Sequence, residues 1–323
     1  MSGEVVAIGR INIDISMNFD RLPKQLTHAI SDDGYISLGG SAANFAMQSS
    51  RLGVKTGLVS CIGNDTYGQA AMKDLAKEGV DTKGILVLDK QRTGLFFVAT
   101  EKSGGRMVFT SPGANKFLEK HTLDDAYISR AALLHLAGAF PMMMSMVVEK
   151  AITDGIIFSF DPGRAAASID FKKYMRNIDL LFLNTKELKD YFNLTPTKAN
   201  LMKLAKSFPG IIIIKRGRKG ALATDGFEYC SSQAFEVPVA DTLGSGDAFA
   251  AGFVTAWTRS ERIEQALHFG NATAALTITQ RGSQNGQGNL EEISSLMKEN
   301  GINIGDILRT FRSPKRRRKR PSR

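Results

Sequence analysis

The residues from Asp241 to Phe253, DTLGSGDAFAAGF, place a glycine-rich turn, an acid and the start of a small-residue helix in succession. A helix N-terminus carries unpaired backbone N–H groups and the positive end of the helix dipole, and glycines let a phosphate approach both. Gly244 and Gly246 would let a phosphate come close, and Asp247 would stand just inside the positive end as a carboxylate able to deprotonate a hydroxyl. That is the chemistry of phosphoryl transfer to an alcohol. The same letters also suit an Asp-Thr turn that only caps a helix. No Lys-Ser or Lys-Thr follows the glycines, which disfavours a nucleotide-binding P-loop.

A second glycine element lies early in the chain. LGGSAANFAMQSSRLG, from Leu38 to Gly53, sets Gly39 and Gly40 before a helix whose first turns carry Ser41 and Asn44. The glycine pair lets backbone approach a ligand, and the Asn44 amide both donates and accepts, as recognition of a polyol requires. Alone, this is also what a plain capped helix looks like.

These residues need a scaffold, and the alternation of patterns predicts one. Apolar runs at VVAIG near Val5, GLVSCIG near Leu58, ALLHLAG near Leu134, IIFSFD near Ile157, LLFLN near Leu181 and IIIIK near Ile212 read as strands covered on both faces. Helical patterns separate them at Ser41 to Arg51, Tyr67 to Lys77, Met142 to Ile152, Lys186 to Phe192 and Lys198 to Lys206, with two small-residue helices from Gly246 to about Thr279 and another from Leu290 to Glu299. The expected fold class is α/β, a doubly wound and mostly parallel sheet flanked by helices. Strand patterns without intervening helices, near 11–20, 34–39 and 92–111, predict a small β-sheet lid. Positions 1–308 read as a single domain and 309–323 as a basic tail.

The chain has 323 residues, 43% of them apolar, and a formal charge of +10. Nine of its 42 basic residues fall between Arg309 and Arg323 with no acid among them, so the remainder carries 33 basic against 32 acidic residues. Such a tail could hold a nucleic acid through phosphate contacts, but from Arg312 on, in RSPKRRRKRPSR, no aromatic residue interleaves the charges to stack on bases. No apolar run approaches the roughly 20 residues that span a bilayer, and VVAIG follows the first residues without a basic leader, so a cytoplasmic location without membrane contact is expected. Cys61 and Cys230 offer neither a disulfide framework nor a thiolate metal site. The histidines at 28, 121, 135 and 268 lack metal-ligand spacing. Met142, Met143, Met144 and Met146 read as core packing of an apolar helix rather than as an adaptable binding surface.

Together, GGSAANFA and DTLGSGDAFAAGF resemble the two signatures of the ribokinase/PfkB family of ATP-dependent small-molecule kinases, and the resemblance runs in consistent order from about Val5 to about Leu296. It implies ATP and Mg²⁺ as cosubstrates and transfer of the γ-phosphoryl group to a hydroxyl. By motif position it implies Asp247 as general base and Gly244, Ser245 and Gly246 as the anion hole. Asn12 and Asp14 in IGRINID, with Gly39, Gly40, Asn44 and Asn115, would bind the acceptor, with Arg164 or Arg106 available to an acidic group on it. Asn184 and Glu187 in NTKE would act near the phosphates, Glu187 holding Mg²⁺ through water; both types equally suit a helix cap box. Lys215, Gly217, Arg218 and Gly220 in KRGRKGA, with Thr242 and Asn271, would border the nucleotide.

Two departures stand out from the resemblance. Arg10 stands where many members carry an acid or amide, and QRGSQNGQG from Gln280 lacks the proline often found there. The second puts in question a K⁺ site that some members build from this loop and the Asp241-Thr242 turn. SFDPG, SCIGND and the form of the first signature resemble archaeal-type nucleoside kinases most, which implies a nucleoside whose ribose 5′-hydroxyl is phosphorylated. Tyr35, Phe96, Phe97 and Phe109 in the lid could stack on its base, although alternation would turn half of them away. A sugar kinase of the ribokinase, fructokinase or ketodeoxygluconate kinase type is the alternative, and a non-catalytic nucleic-acid-associated protein a further one. Exposed lid-strand edges would allow a homodimer.

Overall fold

A computed structural model describes residues 4–23, 27–31, 33–120, 124–163, 169–260, 262–302 and 305. Arg164 and the tail 309–323 lie outside the described residues. The strands, in chain order, are β1 (Glu4–Gly9), β2 (Asn12–Phe19), β3 (Asp33–Gly39), β4 (Thr56–Gly63), β5 (Ile85–Leu88), β6 (Gly94–Glu101), β7 (Arg106–Ser111), β8 (Ala131–Ala137), β9 (Ile157–Asp161), β10 (Leu180–Asn184), β11 (Ile211–Lys215), β12 (Ala221–Thr224) and β13 (Tyr229–Ser232). The helices are α1 (Ser41–Arg51), α2 (Thr66–Lys77), α3 (Asp125–Ile128), α4 (Pro141–Asp154), α5 (Phe171–Tyr174), α6 (Thr185–Phe192), α7 (Lys198–Ala205), α8 (Ser245–Ser260), α9 (Ile263–Thr277) and α10 (Leu290–Glu299).

The main sheet runs β13-β12-β11-β10-β9-β8-β1-β4-β5. From β11 to β5 every pairing is parallel, and β12 and β13 continue antiparallel. The apolar runs make this sheet because both faces are covered. Val5 and Ala7 pack into one core with α1, α8 and α9, while Val6 and Ile8 pack into the opposite core with α4, α6 and α7. Ile211 and Ile213 divide from Ile212 and Ile214 in the same way, which is the two-residue period of a strand. All six apolar runs read from the sequence are strands here. Met143 and Met144 are fully buried in α4, as core packing requires, while Met142 faces solvent.

The chain enters at β1, adds β4 on one side and later β8 on the other, so the strand order reverses between β1 and β8. In open α/β sheets, ligands occupy the crevice outside the carboxyl ends of the strands at such a reversal. Arg10, Gly138, Asp161, Asn184 and Lys215 all stand at those carboxyl ends.

A second sheet, β3-β2-β6-β7, stands apart from the first. Its register fixes which residues share a face. Asp14 pairs with Ser37 and Phe96, while Ile15 pairs with Ile36 and Phe97, and Phe97 in turn with Phe109. Phe97 and Phe109 therefore share the face away from Asp14, their ring centroids 5.9 Å apart. Of the four lid aromatics, only Tyr35 and Phe96 share the face of Asp14.

Candidate active site

The turn before α8 depends on Gly244. Gly244 has φ +72°, and a Cβ there would lie 2.4 Å from the Ser283 carbonyl oxygen. The chain thus enters α8 with the amides of Gly246 and Asp247 meeting no acceptor among the described residues. Thr242, at the head of the turn, is exposed and receives the Ser245 hydroxyl on its carbonyl at 2.8 Å. Asp247, in the first turn of α8, accepts from Asn44 Nδ2 at 2.8 Å. Burial is the main cause that pushes its carboxyl up to about 7, with the charge of Asp161 adding and the Asn44 bond and Lys215 opposing.

The side expected to meet the acceptor is built on the β1–β2 junction and the start of α1. Gly40, with φ +96°, and Gly39 leave space that a side chain would close: a Cβ at Gly39 would fall 2.0 Å from Asp14 Oδ2, and one at Gly40 2.4 Å from the Arg10 carbonyl oxygen. Asp14 is 4% exposed. Burial first, then the facing charge of Asp247, pushes its carboxyl up to about 7. Asn115 donates to the Ile11 carbonyl at 2.8 Å and to Asn12 Oδ1 at 2.9 Å, and accepts from the Ile11 amide. Its amide is thus engaged in fixing the junction, which makes Asn115 a positioning residue for Asn12.

A long-range contribution comes from residues 283–287, in the segment QRGSQNGQG. Gln284 donates to Asn44 Oδ1 at 3.0 Å, Gln287 to the Asn44 carbonyl at 2.9 Å, and the Ser283 hydroxyl lies 3.5 Å from Asp14 Oδ2. Asn44 is thereby locked, with its oxygen facing Gln284 and its nitrogen facing Asp247.

On the other side of Asp247, Lys215 ends β11 and bonds Asp161, which ends β9. Its Nζ lies 3.4 Å from the place a Cβ on Gly246 would take, so it flanks the turn. Burial alone would lower its pKa, yet Asp161, Glu187 and Asp247 together raise it. The ammonium stays charged at the mouth of α8. Asp161 was not singled out from the sequence. The available signal was that IIFSFD, LLFLN and IIIIK each end in a polar residue, and parallel strands bring those ends to one edge.

Asn184 and Glu187 form the cap box of α6, each side chain bonding the other's backbone amide at 2.9 and 2.8 Å. Among the described residues no cluster of three metal-ligating side chains exists. Glu187 and Asp161 fit Mg²⁺ held mainly by water and phosphate oxygens rather than a protein cage. The Asp241 carboxylate, in contrast, is filled by donors: Tyr35 Oη at 2.5 Å and the Gly282 amide at 3.1 Å on Oδ2, and the Leu243 amide at 3.0 Å on Oδ1. Three protein donors thus already meet the carboxylate that a K⁺ site in this turn would use.

Gly217, Arg218 and Lys219 form an exposed turn between β11 and β12. Gly220, at φ +73°, would put a Cβ 2.0 Å from the Ser232 carbonyl oxygen, so its role is close packing of β13. Asn271 on α9 is buried and donates to the Ser232 and Gln233 carbonyls at 3.1 and 3.0 Å, tying that helix to the end of β13.

The family model of the pfkB family carbohydrate kinases matches residues 2–289. An ATP-dependent ribose-1-phosphate kinase from Halopiger xanaduensis is 31% identical over 286 residues, covering 87% of this chain and 93% of that protein. A nucleoside kinase from Methanothermobacter thermautotrophicus is 26% identical over 284 residues, covering 87% of this chain and 91% of that one. The crystal structure of a ribokinase from Thermotoga maritima superposes with a TM-score of 0.81 at 28% identity, over 92% of this chain and 99% of the other. The residues matched by the family model include both glycine elements, the lid strands, Asp161 and Lys215.

Proposed function

Because the chain belongs to the pfkB family of carbohydrate kinases, we propose that it transfers the γ-phosphoryl group of ATP to a hydroxyl of a ribose-containing acceptor, with Asp247 as the base. The carrying observation is the 2.8 Å bond from Asn44 to Asp247, which joins the pocket under the lid to the amide-rich start of α8. Asn12, Asp14 and the open backbone at Gly39 and Gly40 hold the acceptor's hydroxyls. Asp247 takes the proton of the attacking hydroxyl as its oxygen bonds the γ-phosphorus and the bond to the β-phosphate oxygen breaks, releasing ADP. A carboxyl at about 7 suits that exchange near neutral pH. The unpaired amides at the start of α8, that of Gly246 among them, and Lys215 oppose the charge on the phosphoryl oxygens. Glu187 and Asp161 would hold Mg²⁺ through water beside the ATP phosphates, where the ion would supply neutralising charge. No helix among the described residues is long and apolar enough to cross a membrane.

A nucleoside accepting on its 5′-hydroxyl is one such acceptor, and Phe96, on the Asp14 face of the lid, is the ring placed to meet a base. A free or phosphorylated ribose is the other. The two relatives' names, ribose-1-phosphate kinase and nucleoside kinase, share the ribose ring. The test is ATP consumption against ribose, ribose 1-phosphate, nucleosides, fructose and keto-deoxy acids. Turnover is expected to be highest with a ribose-containing compound; turnover confined to hexoses or keto-deoxy acids would refute the reading.

The outer lid face also supports pairing of two copies. Ile36, Met107 and Phe109 are 60%, 42% and 56% exposed there, on strands whose other face meets the site. Sedimentation is expected to give a dimer that Phe109→Glu converts to monomer; a wild-type monomer at micromolar concentration counts against it.

A further inference from the structure

We propose that Arg10 is a specificity-determining residue of the acceptor pocket, an anion receptor that selects a phosphorylated ribose over a neutral one. The proposal rests on the kinase reading above and names the acceptor class for the same site.

Arg10 directly follows β1, at the reversal of strand order, two residues before Asn12. Its Cζ lies 5.1 Å from the ring centroid of Phe140, which follows β8 on the opposite side of that crevice. The side chain therefore lies across the gap between the β1 and β8 ends, the place where an open α/β sheet receives its ligand. Its carbonyl packs beneath Gly40, so the same residue shapes the acceptor pocket with its backbone.

The guanidinium meets no hydrogen-bond acceptor and no carboxylate among the described residues, although the residue is only partly exposed. Arg51 shows the ordinary arrangement in this protein: it donates twice to Glu78 and once each to the Gln284 and Gln287 carbonyls. Arg10 keeps its charge under burial, as guanidinium does, and desolvation is the cause acting on it. A half-buried group with five donors and no partner is costly unless something outside the chain supplies the acceptors. Stacking on Phe140 holds the plane of the guanidinium and leaves its edge for a bidentate contact, which phosphate oxygens match.

The rest of the pocket makes an anionic acceptor need this group. Asp14 and Asp247 are both carboxylates, and each would repel a phosphate. Asp247 addresses the hydroxyl that is phosphorylated, so an existing phosphate belongs at the other end of the sugar. For a ribose attacked at its 5-hydroxyl, that end is C1. Ribose 1-phosphate is the acceptor this geometry favours, and a nucleoside, neutral at C1, leaves Arg10 unanswered.

The experiment compares wild type, Arg10→Gln and Arg10→Lys in steady-state kinetics with ribose 1-phosphate, ribose and a nucleoside, and in calorimetric binding of ribose 1-phosphate without ATP. Arg10→Gln is expected to raise KM and Kd for ribose 1-phosphate about 10- to 100-fold, with kcat little changed and ribose kinetics within about 3-fold. Arg10→Lys should restore part of the loss. Equal losses with ribose and ribose 1-phosphate would make Arg10 a scaffold residue and overturn the proposal, as would wild-type preference for a nucleoside. Absence of turnover with every acceptor would refute the kinase reading instead, and the calorimetric comparison would still decide the role of Arg10.

Discussion

Replacing Asp247 by Asn is expected to lower kcat by at least about 10²-fold while leaving binding of ATP and acceptor within a few-fold, the pattern for loss of a general base. Asn keeps the shape of the group that Asn44 contacts at 2.8 Å but cannot take up a proton. The wild-type pH profile carries the same information. Because burial raises the Asp247 carboxyl to about 7, it is protonated below that pH and cannot act as base. The rate should therefore fall as pH drops below about 7. Asp14 titrates in the same range, raised by its own burial and by the charge of Asp247, so the acid limb belongs to the pair. In Asp247→Asn the kcat limb should flatten, leaving the Asp14 contribution in acceptor KM. Stopped-time ATP assays from pH 5 to 9 on both proteins check it.

Lys215→Met is expected to have the next largest effect, a fall in kcat of about 10²- to 10³-fold, the usual scale for removing one preorganised charge from a reacting oxyanion. Lys215 is held at the α8 turn by Asp161, and its charge is one of the influences that keep the Asp247 carboxyl from rising further. Its loss should move the acid limb of the rate profile to higher pH. A purely structural lysine would leave that limb in place. Removing the lysine also strands Asp161, whose side chain is 10% exposed, and breaking such a buried pair costs about 3–5 kcal/mol. Asp161→Asn/Lys215→Met removes both charges and separates the two effects: it should recover thermal stability without recovering kcat. Recovery of both would make Lys215 a fold residue only.

The sheet was legible because its central strands are covered on both faces and read as unbroken apolar runs. β5, β12 and β13 were not, being four residues each, at or next to the sheet edges, with Leu86 and Val87 exposed in β5. The two glycine elements were legible because positive φ and close backbone approach permit few other residues, as Gly40 and Gly244 show. What the sequence left open depended on register or on distance along the chain. Only the pairing of Asp14 with Phe96 and of Phe97 with Phe109 decides which lid aromatics face the pocket. Asn44 meets Asp247 and Gln284 across separations of 203 and 240 residues, and no local pattern announces such contacts. NTKE suits a cap box as well as a phosphate-side role, and the cap-box hydrogen bonds of Asn184 and Glu187 are formed. Arg10 was visible as a departure in type, but its lack of a partner became evident only beside Phe140.

The most direct measurement is phosphorus NMR of ATP, Mg²⁺ and ribose 1-phosphate, or ribose, incubated with wild-type protein and with Asp247→Asn. Transfer to the ribose 5-hydroxyl predicts a new phosphomonoester on a primary carbon, formed one for one with ADP by the wild type and at least about 10²-fold more slowly by the variant. Release of inorganic phosphate without a new ester, or equal rates of ester formation by both proteins, would contradict it.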